Sequence, residues 1–170
     1  MKKLLVIVDM QNDFIDGALG TAEAMTAVPQ VIKKVREWKD DIVCTKDTHT
    51  RAYLHTNEGR HLPIPHCIEG TRGQEISRRV AEALGDRAVI FEKSTFGCPQ
   101  LMDYIREQGY DCVEFVGLCA DVCLTSDAIM AKTLFPECHI KVDASCCAGV
   151  TPEGKRAAFT TMAMCQIDII

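Results

Sequence analysis

A thiol flanked by a cation and a carboxylate can attack a carbonyl, and Cys123, Lys93 and Asp9 offer that combination. Gly117 to Cys123 reads as a turn from a strand into a helix, with Asp121 as N-cap and Cys123 in the first helical turn. In that position the helix dipole and free backbone N–H groups favour a thiolate, below the usual thiol pKa of about 8.5. The same N–H groups suit an oxyanion formed when the sulfur adds to a carbonyl, and the Cys119 N–H in the turn is a second donor. Lys93 would favour the charged sulfur, while Asp9 would take the thiol proton and return it to a leaving amine. Singly, each has a plain alternative: a small buried cysteine, a snorkelling lysine, a turn carboxylate.

A second set is Asp47-Thr48-His49 with His66 further along. One carboxylate and two imidazoles suit Zn, Fe or Mn, and an open coordination position would make such a site catalytic. Glu58 lies between them as a further ligand, and His55 and His61 compete. The plain alternative is solvated loop histidines. Cys67 next to His66 invites a structural zinc reading, but the chain has no paired CxxC knuckles. It also lacks GxGxxG, GxxxxGK[ST], GxSxG and HExxH, so nucleotide, serine-hydrolase and zincin chemistry have no signature here.

These residues must be positioned by an alternating pattern of strands and helices. Leu4–Val8, Ile42–Cys44, Ala88–Phe91, Val113–Val116, His139–Val142 and a short stretch within Cys165–Ile170 read as strands. Apolar residues recur at helical spacing at Val31, Ile32, Val35 and Trp38, and at Ile76, Val80 and Leu84 before Gly85. Pro99 opens a helix that Gly109 ends, a further helix runs from about Val122 to Leu134, and Pro152 opens the last. The expectation is one α/β domain over residues 1–170. It would be a Rossmann-like three-layer α/β/α unit with a mostly parallel sheet of about six strands. Ligands of such sheets bind beyond the carboxyl ends of the strands. Asp9 ends the first strand, Asp47 the second, Lys93 the third, and Cys119 and Cys123 follow the fourth, so all converge on one crevice. The irregular stretch from Asp47 to Thr71 is longer than a compact domain usually keeps without a function.

Composition narrows the partners. Lys+Arg 19 against Asp+Glu 24 gives a net charge of −5, which argues against nucleic acid or an anionic membrane surface as partner. Apolar residues make up 47% and charged residues 25%, wrong for disorder. The five apolar residues Leu4 to Val8 are too few for a signal-peptide core, and no run approaches the roughly 18 needed for a membrane span. The reading is therefore a cytoplasmic chain whose ten cysteines are reduced and mostly buried, Cys44 and Cys112 by strand packing.

Val8-Asp9-Met10-Gln11-Asn12-Asp13-Phe14, Lys93-Ser94-Thr95-Phe96 and Gly117-Leu118-Cys119-Ala120-Asp121-Val122-Cys123 resemble, in order, three motifs of the isochorismatase-like cysteine hydrolases. The resemblance covers essentially the whole chain and implies that fold. It also implies an Asp9, Lys93 and Cys123 triad, a cis Leu118–Cys119 peptide, and an oxyanion hole from the backbone N–H groups of Cys119 and Cys123. Asp47-x-His49 with Pro65-His66-Cys67-Ile68-x-Gly70-Thr71 resembles the metal site of the nicotinamidase branch. That implies Asp47, His49 and His66 as ligands of Zn, Fe or Mn, with Glu58 at a comparable spacing to an added ligand of some members. The metal would bind the pyridine nitrogen and Phe14 would pack on the ring. The implied reaction is nicotinamide to nicotinate and ammonia through a thioester, a step of NAD salvage. Asp47-Thr48-His49-Thr50 departs from the branch's usual DWHP, so an aromatic neighbour of the site is missing. A related hydrolase of another small amide or ureido compound, with a vestigial metal site, is the alternative. A non-catalytic thiol redox or zinc-stabilised binding protein is a third. The partner in the leading case is a small-molecule amide, and the Ala157–Met164 helix is either core or a homo-oligomer contact.

Overall fold

The computed structural model describes residues 1–170. Six parallel strands form one sheet: β1 (Lys3–Val8), β2 (Asp41–Asp47), β3 (Ala88–Lys93), β4 (Cys112–Gly117), β5 (His139–Cys147) and β6 (Asp168–Ile169). Their order across the sheet is β3-β2-β1-β4-β5-β6. β1 is central because Leu4–Val8 is apolar at every position, and a strand covered on both faces requires that.

Seven helices complete the layers: α1 (Asn12–Ile15), α2 (Ala22–Glu37), α3 (Asn57–His61), α4 (Arg78–Leu84), α5 (Pro99–Gln108), α6 (Cys123–Leu134) and α7 (Pro152–Met164). Leu4, Val6 and Val8 face one core, shared with Leu101 and Ile105 of α5, Leu124 and Ala128 of α6, and Met162 of α7. Leu5 and Ile7 face the other, shared with Val31 and Val35 of α2 and Val80 and Leu84 of α4. The two faces make the three-layer α/β/α arrangement expected from the alternating pattern. No helix is long and apolar enough to cross a membrane.

Several boundaries differ from those expected. α2 starts at Ala22, well before the periodic residues, because the Thr21 side chain accepts the Ala24 N–H at 3.0 Å and Pro29 is accommodated inside the helix. Trp38 is not helical but extended just beyond α2, where its indole donates to the Asp41 carbonyl at 3.1 Å. Asp121 is not the N-cap of α6. Val122 takes that place, and the Asp121 carboxylate instead accepts the Val150 N–H at 2.9 Å, tying the turn to the start of α7. The 47–71 stretch carries α3 and a 3₁₀ turn at Tyr53–His55, and His49 bridges to Ile68 as a strand would. Tyr53 is buried and its hydroxyl donates to the Leu62 carbonyl at 2.9 Å, which folds this stretch over the strand ends.

Gly117, the last residue of β4, sets how closely the turn follows β1. Its φ is +114°, and a Cβ added there would lie 2.2 Å from the Val8 carbonyl oxygen. Gly117→Ala is expected to cost about 3 kcal/mol or more, since it combines a disfavoured φ with a backbone overlap. Urea denaturation measures this, and an unchanged midpoint would refute it.

Candidate active site

At the carboxyl edge of the sheet, Asp9, Lys93 and Cys123 meet. Asp9 is fully buried with φ +46°, a left-handed conformation that aspartate tolerates better than bulkier residues. Thr45 Oγ1 donates to Asp9 Oδ1 at 2.7 Å, and Lys93 Nζ lies 2.7 Å from Asp9 Oδ2. Lys93 Nζ also donates to the Thr95 carbonyl at 3.0 Å and to Cys123 Sγ at 3.6 Å, and lies 3.6 Å from Asp47 Oδ1. One buried ammonium thus faces carboxylates from two strands and the sulfur of α6.

Burial and electrostatics set the charge states. Burial alone would discharge Lys93, but Asp9, the Cys123 sulfur and Asp47 outweigh it and keep it cationic. Burial raises the Asp9 pKa above the usual carboxylate value, with Lys93 opposing. For Cys123, burial and then Asp9 push the thiol well above its ordinary value, against the pull of Lys93. A helix dipole was expected to make this sulfur acidic. The desolvation of a site with two nearby carboxylates is the larger effect and holds the thiol above its ordinary value.

The turn that carries Cys123 includes a cis peptide at Leu118–Cys119, at the expected position. The backbone N–H groups of Cys119 and Cys123 donate to no backbone acceptor, and both cysteines line a small cavity. That cavity holds about 120 Å³, well below the roughly 300–1,000 Å³ of drug-sized pockets, so its occupant is small. Its walls are mostly apolar, from Phe14, Leu19, Leu62, Phe96, Val122 and Val150, and it shares Glu58 and Phe96 with a wider entrance of about 590 Å³. A larger hollow of about 630 Å³ lies at the opposite edge, near Tyr110 and His139, away from this chemistry.

Asp47 and His66 also line this cavity and His49 stands behind them, with one potential ligand atom from each of the three lying within 4.8 Å of the others. His66 Nδ1 is fixed on the Ile64 carbonyl at 2.9 Å, which turns Nε2 inward. His49 Nε2 is 2.9 Å from Asp47 Oδ2, yet it is buried without a hydrogen-bond partner, as is Asp47 Oδ1. Orphaned atoms of a carboxylate and one imidazole, with the inward Nε2 of His66 beside them, fit a divalent transition metal. Glu58 Oε1 lies 3.7 Å from both Nε2 atoms, near enough to join through a small adjustment or a water. His55 and His61 are exposed and outside the cluster. Cys67 is also outside it: its N–H donates to Asp13 Oδ2 at 2.7 Å, and burial pushes its thiol far up. Phe14 lies against His66, with ring centroids 5.4 Å apart.

Three contributors were not read from the sequence. Gln11 grips the Asp47 backbone, accepting its N–H at 2.7 Å and donating to its carbonyl at 2.7 Å. Gln11 also donates to the Gln74 carbonyl, and Gln74 donates to Thr48 Oγ1 at 2.8 Å, so the residue replacing an aromatic joins a polar brace. Thr45 was readable in principle, since it points to the same side of β2 as Asp47. Phe96 stood in the lysine motif, but its place in the cavity wall depends on α6.

An isochorismatase domain matches residues 3–170. The chain is similar to the nicotinamidase/pyrazinamidase of Mycobacterium tuberculosis, at 25% identity with 99% of this chain and 98% of that one covered. It is also similar to the nicotinamidase of Acinetobacter baylyi, at 25% identity with 82% and 79% covered. The crystal structure of the Pyrococcus horikoshii pyrazinamidase in complex with zinc superposes with a TM-score of 0.87, at 26% identity, covering 100% of this chain and 99% of that one.

The charge states make a separable prediction. Asp9→Asn removes the negative charge that opposes a thiolate, so iodoacetamide alkylation of Cys123 at mildly alkaline pH should rise, about tenfold for each pK unit by which the thiol falls. Peptide mapping reads the rate, and a rate no faster than wild type would show that Asp9 does not hold the proton on sulfur.

Proposed function

The chain belongs to the isochorismatase family, and we propose that it is a cysteine-dependent amidohydrolase converting nicotinamide to nicotinate and ammonia. The observation that carries this reading is one small cavity lined by Cys123 together with Asp47 and His66, two members of the Asp47, His49 and His66 cluster. The similarity to nicotinamidases supports both the reaction class, hydrolysis of a linear amide C–N bond, and the substrate.

Cys123 Sγ adds to the carboxamide carbon as its proton passes to Asp9, whose pKa burial raises above the usual carboxylate value, making it a stronger base. The Lys93 ammonium, 3.6 Å from the sulfur, stabilises the thiolate as it forms. The unengaged N–H groups of Cys119 and Cys123 receive the oxyanion. Asp9 then protonates the departing amine, the C–N bond breaks and ammonia leaves a thioester on Cys123. Asp9 next takes a proton from water, the hydroxyl adds to the thioester carbon, and the sulfur leaves with that proton. The balance is amide plus water to acid plus ammonia. The product nicotinate fits a role in NAD salvage.

Asp47, His49 and His66 would hold the divalent metal, with Glu58 beside them, and a bound metal supplies a Lewis acid for the ring nitrogen. Zinc is the first candidate, because the Pyrococcus pyrazinamidase structure contains it. Phe14, tilted on His66, and Phe96 confine a flat ring so that its carboxamide reaches the sulfur.

Ammonia release from nicotinamide tests the reading, with Cys123→Ala expected to lose activity by about a thousandfold or more. Purified protein should hold close to one transition metal per chain, and His66→Ala should lower that occupancy together with turnover. Activity untouched by full chelation, with ammonia released from an aliphatic or ureido amide instead, would overturn the ring substrate while keeping the thiol mechanism. Unchanged turnover by Cys123→Ala would overturn both.

A further inference from the structure

α6 buries a carboxyl group that the mechanism above does not use. Asp127 is 0% exposed and lies one helical turn beyond Cys123 on the same face. Its Oδ1 accepts the Cys98 N–H at 2.7 Å, and its Oδ2 is buried with no partner. Leu124, Ala128 and Ala131 fill their positions on this helix with apolar atoms, and an acid among them is costly for a core. A residue that conflicts with its surroundings in this way points to a role other than packing.

The Cys98 N–H belongs to the segment that follows Lys93. Lys93 Nζ donates to the Thr95 carbonyl at 3.0 Å, and Phe96 turns into the cavity wall. At Gly97 the segment runs so close to α6 that an added Cβ would lie 3.1 Å from Met130 Cε and 3.6 Å from Asp127 Oδ1. The Asp127–Cys98 bond is the polar link between the far end of this segment and the helix carrying the sulfur.

We propose that Asp127 is a positioning residue whose hydrogen bond to the Cys98 N–H fastens residues 94–98 onto α6 and so sets where the Lys93 ammonium meets Cys123. This rests on the roles proposed above for Lys93 and Cys123. The groups facing Asp127 are Asp9 just beyond β1, Lys93 from β3 and the Cys98 thiol at the start of α5, while Cys123 lies one turn back on its own helix. Burial, with Asp9, raises the Asp127 carboxyl to about 7, while the Cys98 N–H and Lys93 pull it down. Its charge therefore changes near neutrality beside the Lys93–Cys123 contact, which gives the link a signature in pH.

Asp127→Asn and Asp127→Ala, each with its metal retained, test this through two readouts. Asparagine keeps an acceptor for the Cys98 N–H and removes the charge; alanine removes both. Below neutrality, Cys123 alkylation by iodoacetamide in Asp127→Ala should slow about fivefold or more, and kcat should fall about tenfold with KM nearly unchanged. Asp127→Asn should restore both to within about twofold of wild type, and its alkylation profile should lose the inflection near neutrality. Alkylation in Asp127→Ala at the wild-type rate, or an Asp127→Asn variant as impaired as the alanine one, would overturn the proposal. Should the alanine variant fail to fold, an unaltered pH profile in Asp127→Asn overturns it equally. Alkylation needs no substrate. A chain that hydrolyses no amide, but whose Cys123 reactivity follows Asp127 in this way, would refute the proposed substrate and leave this inference standing.

Discussion

A buried ammonium is the constraint from which the rest of the site follows. Lys93 has a side chain 1% exposed, and a cation so far from water must be surrounded by negative charge or lose its proton. Asp9 and Asp47 supply that charge from the ends of β1 and β2, and the Thr95 carbonyl completes the shell. Only a parallel sheet brings three strands to end together at one edge, with Asp47 level with Lys93 in the β2–β3 register. The need to keep one cation charged therefore ties the carboxylate, the sulfur and the histidine cluster into a single arrangement. Burial first, and then the carboxylates that hold Lys93, push the Cys123 thiol above its ordinary value.

Much of this was legible in the sequence because it depends on local patterns. Apolar runs mark the central strands whatever their neighbours, and a residue that ends a parallel strand lies at the ligand edge by topology alone. Asp9, Asp47, Lys93 and Cys123 could be placed on that basis. What escaped depends on partners distant in the chain. Gln11 is unremarkable until Asp47 lies beside it, and Asp127 looks like a solvated helix residue until Cys98 arrives from another element. Asp121 matches the composition of an N-cap, but its carboxylate is drawn to Val150, and backbone geometry gives the cap to Val122. The two short helical pieces between Asp47 and Thr71 are too brief for a 3.6-residue period to register.

The carboxylate–histidine cluster and the thiol turn differ in how they are secured. Asp47 ends β2, while His49 and His66 sit on the irregular stretch beyond it, so part of their backbone is held by substitutes for a sheet ladder. The Gln11 carboxamide pairs with Asp47 as a neighbouring strand would, and His49 exchanges bonds with Cys67 and Glu69. Thr48, where an aromatic residue would be expected by resemblance, is drawn into the same polar brace through Gln74.

Lys93 stands on β3, and β3 is an edge strand of the sheet, paired only with β2 and with Val89 and Ile90 half exposed. Strands at such margins open locally at a smaller free energy than the core. The ammonium beside the sulfur is thus carried by one of the sheet's least enclosed elements. As the temperature rises, peeling of this margin can silence the thiol while the central strands and their amide protons stay protected. Heat would then remove reactivity before it removes the fold.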